Sequence, residues 1–160
     1  MSIVHRDIKA ANILLAGGKA KIGDFGFATH CKREFKDVSI GSPAYMAPEG
    51  LLSNVYGPKT DVWSFGMLVY EIVHGQTPFH ICESENELKQ RVQVPVNWDQ
   101  LKGSLPSPLK RLILKCLKVN SVQRPTFKEL LNDEYIQKIY KESCIRQASK
   151  SNHTKITSDS

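Results

Sequence analysis

The chain has 160 residues, of which 41% are hydrophobic and 24% charged, and its formal net charge is +6. That length suits one ordinary domain and that apolar content is enough to bury a core, so disorder throughout is excluded. The lysines and arginines are scattered and not gathered with aromatics into a strip, which argues against a dedicated nucleic-acid surface.

In chain order, Ile3 and Val4 have short extended character and lead into a polar loop. Ile13-Leu14-Leu15 reads as a brief strand, Gly17-Gly18 as its turn and Lys19 to Ile22 as the return, which predicts a β-hairpin. Between Phe27 and Ala47 neither the helical nor the strand period is present, so a long loop is expected; loops of that length usually carry function. From Pro48 the pattern becomes helical.

Four helices have identifiable ends. Asp61 to Val73 is apolar on almost every side (Val62, Trp63, Phe65, Met67, Leu68, Val69, Ile72), with Gly75 able to take a left-handed cap, and reads as the buried axle of the domain. The second starts at Ser84, boxed with Glu87, and stops before Pro95. The third starts at Ser107 with Pro108 in its first turn and sets Leu109, Leu112, Ile113, Cys116 and Leu117 on one face. The fourth begins at Thr126, boxed with Glu129, turns Phe127, Leu130 and Leu131 inward, and is expected to run on through Ile136 and Ile139. From residue 142 to 160 few apolar residues remain to offset the entropy of ordering, so a disordered polar tail is expected after a domain of residues 1–141.

Cys31, Cys82, Cys116 and Cys144 are far apart and form no C-x-x-C pair, as expected for reduced thiols in the cytoplasm or nucleus. The longest apolar stretch, Val62 to Val73, is interrupted by Glu71, and no membrane partner is expected.

Three short runs carry the chemistry: His5-Arg6-Asp7-Ile8-Lys9-Ala10-Ala11-Asn12, then Asp24-Phe25-Gly26, then Ala47-Pro48-Glu49. Phosphoryl transfer asks little covalent help of a protein, but it needs a carboxylate to orient a hydroxyl and oxygen ligands to hold Mg²⁺ against phosphates. Taken singly, Asp7 and Asn12 read as turn and cap residues, His5 as a packing histidine and Lys9 as a solvated charge. Their order and spacing change that reading. Together the runs resemble the catalytic loop, the metal-binding turn and the end of the activation segment of eukaryotic protein kinases. The resemblance covers about residues 3 to 140.

The resemblance implies a mainly α fold with a short β-hairpin, the C-terminal lobe of a protein kinase with the N-terminal lobe absent. It implies ATP and Mg²⁺ as cofactors and protein Ser/Thr hydroxyls as acceptors. Asp7 would orient the acceptor hydroxyl and take its proton, Asn12 and Asp24 would ligate the metal, and Lys9 would meet the transferring phosphate. Lys9 and the Gly41-Ser42-Pro43-Ala44-Tyr45-Met46 strip are similar to the Ser/Thr-directed members, and Ser42 would sit near Asp7 and Lys9. Leu14 looks like the lower contact for adenine. His5 and Phe25 look like members of an apolar stack linking the lobes, with Gly26 completing the turn. Glu49 and Arg124 resemble a buried ion pair, and Asp61 resembles the carboxylate that holds the catalytic loop from below. Thr29 and Ser39 are candidate phosphosites that Arg6 could meet, although Val38 stands at the position this family often phosphorylates.

The 160 residues contain no Gly-rich loop, phosphate-pairing strand lysine or helix glutamate of the kind a complete kinase has, so a longer chain is expected to supply that lobe. The chain alone is expected to be inactive and weakly stable, with apolar surface on Asp61 to Val73 left uncovered. Two other readings stand beside this one: a kinase-derived, non-catalytic interaction module, and an unrelated helical binding domain.

Overall fold

The computed structural model describes residues 3–96 and 105–156, with side chains up to residue 146. It divides into two compact units, one ending at Thr126 and one beginning at Phe127.

The first unit opens with β1 (Ile3–Val4), then β2 (Ile13–Ala16) and β3 (Lys19–Ile22), followed by β4 (Thr29–His30) and β5 (Phe35–Lys36). Next come α1 (Pro48–Ser53), β6 (Val55–Tyr56), α2 (Thr60–His74), α3 (Glu85–Arg91) and α4 (Ser107–Cys116). The hairpin forms as expected, with Ile13 opposite Ile22 and Ala16 opposite Lys19 across the Gly17-Gly18 turn. Two further antiparallel ladders were not expected: β1 pairs with β4, and β5 with β6. They pin the 27–47 loop at two points, and each is only two residues long, too short to show alternation in the sequence. Helix α1 begins at Pro48, where the pattern turns helical, but was not among the four helices given ends, because its six residues carry no apolar period.

Helix α2 is the axle of the unit. Trp63, Met67 and Tyr70 join Met46, Ala47, Tyr56, Phe79, Ile113 and Leu117 in one buried cluster, and Gly75 closes the helix at φ +77°. Burial is not complete around it, since Ile72 is 70% exposed. Helix α3 starts as read, with the Ser84 side chain accepting from Glu87 N at 3.2 Å. Helix α4 lays Leu112, Ile113 and Cys116 against α2 where Gly66 leaves room.

A Cβ on Gly66 would lie 2.7 Å from Cys116 Cβ and 2.9 Å from Leu117 Cδ2. Cys116 Cβ is fixed by the α4 backbone, so Gly66→Ala must push the two helices apart. Overpacking of that kind costs about 1–3 kcal/mol, more than the roughly 1 kcal/mol gained in helix propensity. A lowered urea midpoint is expected for Gly66→Ala; a raised one would mean that α4 yields without strain.

The second unit holds α5 (Phe127–Leu131) and α6 (Glu134–Ile156). The fourth expected helix is therefore two. Asn132 N and Asp133 N bond back to Glu129 O and Leu130 O and end α5, and the Asp133 carboxylate then accepts from Tyr135 N at the start of α6. Only Leu130 is buried. Phe127 and Leu131, at the two ends of a five-residue helix, are exposed, against expectation. Helix α6 continues to Ile156, through residues expected from the sequence to form a polar tail. Its glutamate, lysine, glutamine, alanine and arginine residues are good helix formers, and a helix nucleated at Glu134 propagates through them without an apolar face. The last four residues of that expected tail, 157–160, lie outside the described residues. Among the described residues no helix is long and apolar enough to cross a membrane.

Candidate active site

The loop from His5 to Asn12 hangs from the first turn of α2. Asp61 is buried there and accepts His5 N at 2.6 Å and Arg6 N at 2.9 Å, one through each carboxylate oxygen. Burial pushes the Asp61 carboxyl above its ordinary pKa, against the pull of those two backbone donors and of nearby positive charge. Arg6 adopts φ +69°, a region costly for a residue with a Cβ, and the paired bonds to Asp61 hold it there.

This bend turns the next side chains toward one point. Asp7 is buried, and its carboxylate accepts four donors: Ser42 N at 3.1 Å and Ser42 Oγ at 2.8 Å on Oδ1, and Asn12 Nδ2 at 3.1 Å and Lys9 Nζ at 2.8 Å on Oδ2. That fills the acceptor capacity of a carboxylate. Burial alone would raise the Asp7 pKa; hydrogen bonds from Lys9 and Ser42, the Lys9 charge and the Asn12 bond outweigh it and hold the carboxyl below its usual value. Lys9 Nζ also donates to Ser42 Oγ at 2.8 Å. A carboxylate, an ammonium and a hydroxyl thus converge.

Ser42 reaches Asp7 because Gly41 lets the 27–47 loop press against the His5–Asn12 loop. At Gly41, φ is +114° and a Cβ would fall 2.5 Å from Arg6 O, so no other residue fits without moving the backbone. The next turn, Pro43–Tyr45, is anchored to α2 by Ser64 Oγ donating to Tyr45 O and by Tyr45 OH donating to Glu71 Oε2 at 2.5 Å. Burial, then that bond and the charge on Glu71, push the Tyr45 hydroxyl up to about 12.

Asn12 gives both amide hydrogens to Asp7, one to its carbonyl at 2.9 Å and one to its carboxylate, so the side chain offers Oδ1 outward as an acceptor. The turn at 24–26 is tied to the same loop. Gly23 N donates to Asn12 O at 2.8 Å, His5 Nε2 donates to Gly23 O at 3.0 Å, and the His5 ring meets Phe25 edge-on at 4.9 Å. Asp7 N donates to His5 Nδ1 at 3.3 Å, which sets His5 as the neutral Nε2–H tautomer. Asp24, at φ +56°, is held between those two anchors; it accepts Gly26 N at 3.2 Å and is exposed. The amide oxygen of Asn12 and the carboxylate of Asp24 are hard donors suited to Mg²⁺. Among the described residues no group of three His, Cys, Asp or Glu could hold a metal.

Arg124 is buried, and each of its N–H bonds has a taker. It grips both Glu49 oxygens at 2.7 Å and bonds Lys118 O at 2.7 Å, Lys59 O at 3.1 Å and Val119 O at 3.1 Å, with its guanidinium 5.1 Å from the Trp63 ring centroid. The pair fixes the start of α1 just after the 27–47 loop. Leu14 lies on the exposed face of the hairpin with Cδ1 beside Gly23, and Phe25 is also exposed. Thr29 sits in the β1–β4 ladder, and Ser39 is exposed in the loop.

Sequence reasoning missed Asp37, whose Oδ2 accepts from Arg6 Nη1 at 2.6 Å. It also missed Tyr56, whose hydroxyl bonds both Ile40 N and Ile40 O. No local pattern marks either residue; both partners lie far along the chain.

A sequence profile described as protein kinase domain matches residues 1–136. The chain is 38% identical to the serine/threonine-protein kinase STE20 of Eremothecium gossypii over 146 residues, which are 86% of this chain and 14% of that protein. It is 41% identical to the serine/threonine-protein kinase pakE of Dictyostelium discoideum, over 84% of this chain and 15% of that protein. It is 40% identical to the mitogen-activated protein kinase kinase kinase 1 of Arabidopsis thaliana, over 84% and 22% respectively. The chain spans less than a quarter of the length of these relatives.

Proposed function

This chain belongs to the protein kinase family, and on that premise we propose that it provides the catalytic loop, metal turn and activation segment of an enzyme that moves the γ-phosphoryl group of ATP onto protein serine and threonine hydroxyls. The observation that carries the reading is the convergence of Lys9, Asn12 and Ser42 on the one buried carboxylate of Asp7.

The chemistry follows from those partners. Asn12, through Oδ1, and Asp24, through its carboxylate, would hold Mg²⁺, which when bound neutralises charge on the phosphate oxygens. Lys9 is the more open member of its pair, with 26% of its side chain exposed against 3% for Asp7, and is the one able to swing. As a compact point charge it suits a phosphate. When Lys9 turns to the phosphate, the Oδ2 position it leaves accepts the substrate hydroxyl. Loss of the ammonium also raises the proton affinity of Asp7 at the moment a proton must be taken. The hydroxyl oxygen then bonds to phosphorus, the bond to the bridging oxygen of ADP breaks, and the proton passes to Asp7.

The exposed Leu14 and Phe25 beside the site suit cover by adenine and by a second lobe carrying a Gly-rich loop and a phosphate-pairing lysine, neither of which is among these 160 residues. In this reading the 160 residues alone turn over little, and the cytoplasm or nucleus is the place of action. The complete Asp7 network supports catalysis over a purely scaffolding role, which would leave four donors on one carboxylate without a purpose. The test is to incubate the full-length protein with Mg-ATP and a generic protein substrate. Phosphoserine and phosphothreonine are expected, and their absence, or phosphotyrosine alone, would sink the proposal.

A further inference from the structure

We propose that Asp37 is a positioning residue for phosphotransfer: by pairing with Arg6 it holds the 35–42 strip against the catalytic loop, doing with a built-in carboxylate what a phosphoryl group on this segment would otherwise do. The inference rests on the kinase reading above and goes beyond it, because it makes the ordered segment independent of phosphorylation.

Arg6 adjoins Asp7, and its side chain is almost wholly buried, at 8% exposure, while Asp37 is open at 39%. Its guanidinium is bonded through Nε and Nη1 and flanked by two rings. Nε donates to Phe27 O at 2.6 Å, Nη1 donates to Asp37 Oδ2 at 2.6 Å, and the rings of Phe35 and Tyr56 lie 5.7 and 5.6 Å from its central carbon. A cation taken this far out of water demands an anion, and Asp37 is the carboxylate bonded to it among the described residues.

Asp37 is in turn fixed within the segment. Its N donates to Asn54 O at 3.1 Å, its Oδ1 accepts Val38 N at 2.8 Å, and it follows directly on β5, which is paired with β6. Beyond it the strip stays engaged: Ile40 with the Tyr56 hydroxyl, and Ser42 with Asp7. A series of anchors along the strip therefore leads from the Arg6–Asp37 pair to the catalytic carboxylate. Phosphorylation orders such loops by bringing an anion to an arginine. Here the anion is encoded, and a phosphate on Ser39 would meet an arginine already paired and a carboxylate two residues away.

The test uses full-length protein made in bacteria, treated with phosphatase and shown by mass to be free of phosphate. Amide hydrogen exchange over residues 35–42 is compared in wild type, Asp37→Asn, Asp37→Glu and Ser39→Ala, beside kcat and KM for peptide and ATP. Wild type without phosphate is expected to be active and protected over 35–42, and Ser39→Ala to match it. Asp37→Asn should lose that protection and up to about 10²-fold in kcat/KM for peptide, the scale of a displaced catalytic geometry, with KM for ATP little changed. Asp37→Glu should recover most of both. Rapid exchange over 35–42 in phosphate-free wild type, loss of activity on phosphatase treatment, or full activity in Asp37→Asn would each overturn the proposal. Should wild type show no phosphotransfer under any condition, the kinase reading fails, and the exchange of Asp37→Asn against wild type still decides whether Asp37 orders the strip.

Discussion

Asp7→Asn in the full-length protein should abolish measurable phosphotransfer while the protein remains folded. An amide in place of the carboxylate cannot take the proton of the acceptor hydroxyl, and loss of a positioned general base costs on the order of 10²–10⁴ in rate. The geometry adds to the loss. Asp7 presents only acceptors to its four donors, so the amide hydrogens of an asparagine on the Oδ2 side would face Lys9 Nζ and Asn12 Nδ2. Lys9 and Asn12 would then shift, and with Asn12 goes the orientation of the oxygen proposed for the metal.

The fold should survive because the loop does not depend on the Asp7 carboxylate for its path. Asp61 holds His5 N and Arg6 N from below, Gly23 N bonds Asn12 O, and the His5 ring bonds Gly23 O. The stability lost is that of a few hydrogen bonds, about 1–3 kcal/mol. Radiolabel transfer and a melting curve read the two effects apart. Near-normal transfer by a folded Asp7→Asn would refute the role given to Asp7, and an unfolded variant would refute the independence of the loop.

The same division between local and distant interactions decides what could be read from the sequence. Ser84 with Glu87, Gly75 after the apolar run of α2, and Gly17-Gly18 between two strands are signals carried within a few residues of what they specify, and each is found as read. The break at Asn132-Asp133 and the run of α6 to Ile156 are also local events. They follow helix propensity rather than apolar content, and the expectations rested on the latter. The β1–β4 and β5–β6 ladders, by contrast, join segments far apart in the chain, and two-residue strands carry no period of their own. At the site, Asp7, Lys9, Asn12 and Ser42 could be expected together from the family resemblance, and they meet within hydrogen-bonding distance. Asp37 could not, since nothing beside it in Lys36-Asp37-Val38 points back to Arg6. The folded chain alone makes that pair.

Arg124→Met should destabilise the protein by about 3–5 kcal/mol, the usual cost of removing one partner from a buried ion pair. The magnitude follows from what is left behind. Of the bonds described, the Glu49 carboxylate would keep the 3.3 Å one from Thr60 Oγ1; the carbonyls of Lys118 and Val119 would lose their donor, and that of Lys59 would keep the longer 3.4 Å bond from Trp63 N. Methionine restores the bulk beside Trp63 but not a single hydrogen bond. At about 2–4 °C per kcal/mol for a domain of this size, the melting temperature should fall by roughly 6–20 °C. Arg124→Lys keeps the charge but has three donors on one atom, which cannot span both Glu49 oxygens and three carbonyls, so most of the loss should remain. The double variant Glu49→Gln with Arg124→Met should be less destabilised than the sum of the two single changes, because no charge is stranded. Glu49 also lies in the first turn of α1, just after the 27–47 loop, and exchange over residues 40–47 should therefore rise together with the fall in melting temperature. A shift below about 1 kcal/mol for Arg124→Met, or additive effects in the double variant, would mean that water reaches the Glu49 carboxylate and that this pair does not hold the segment in place.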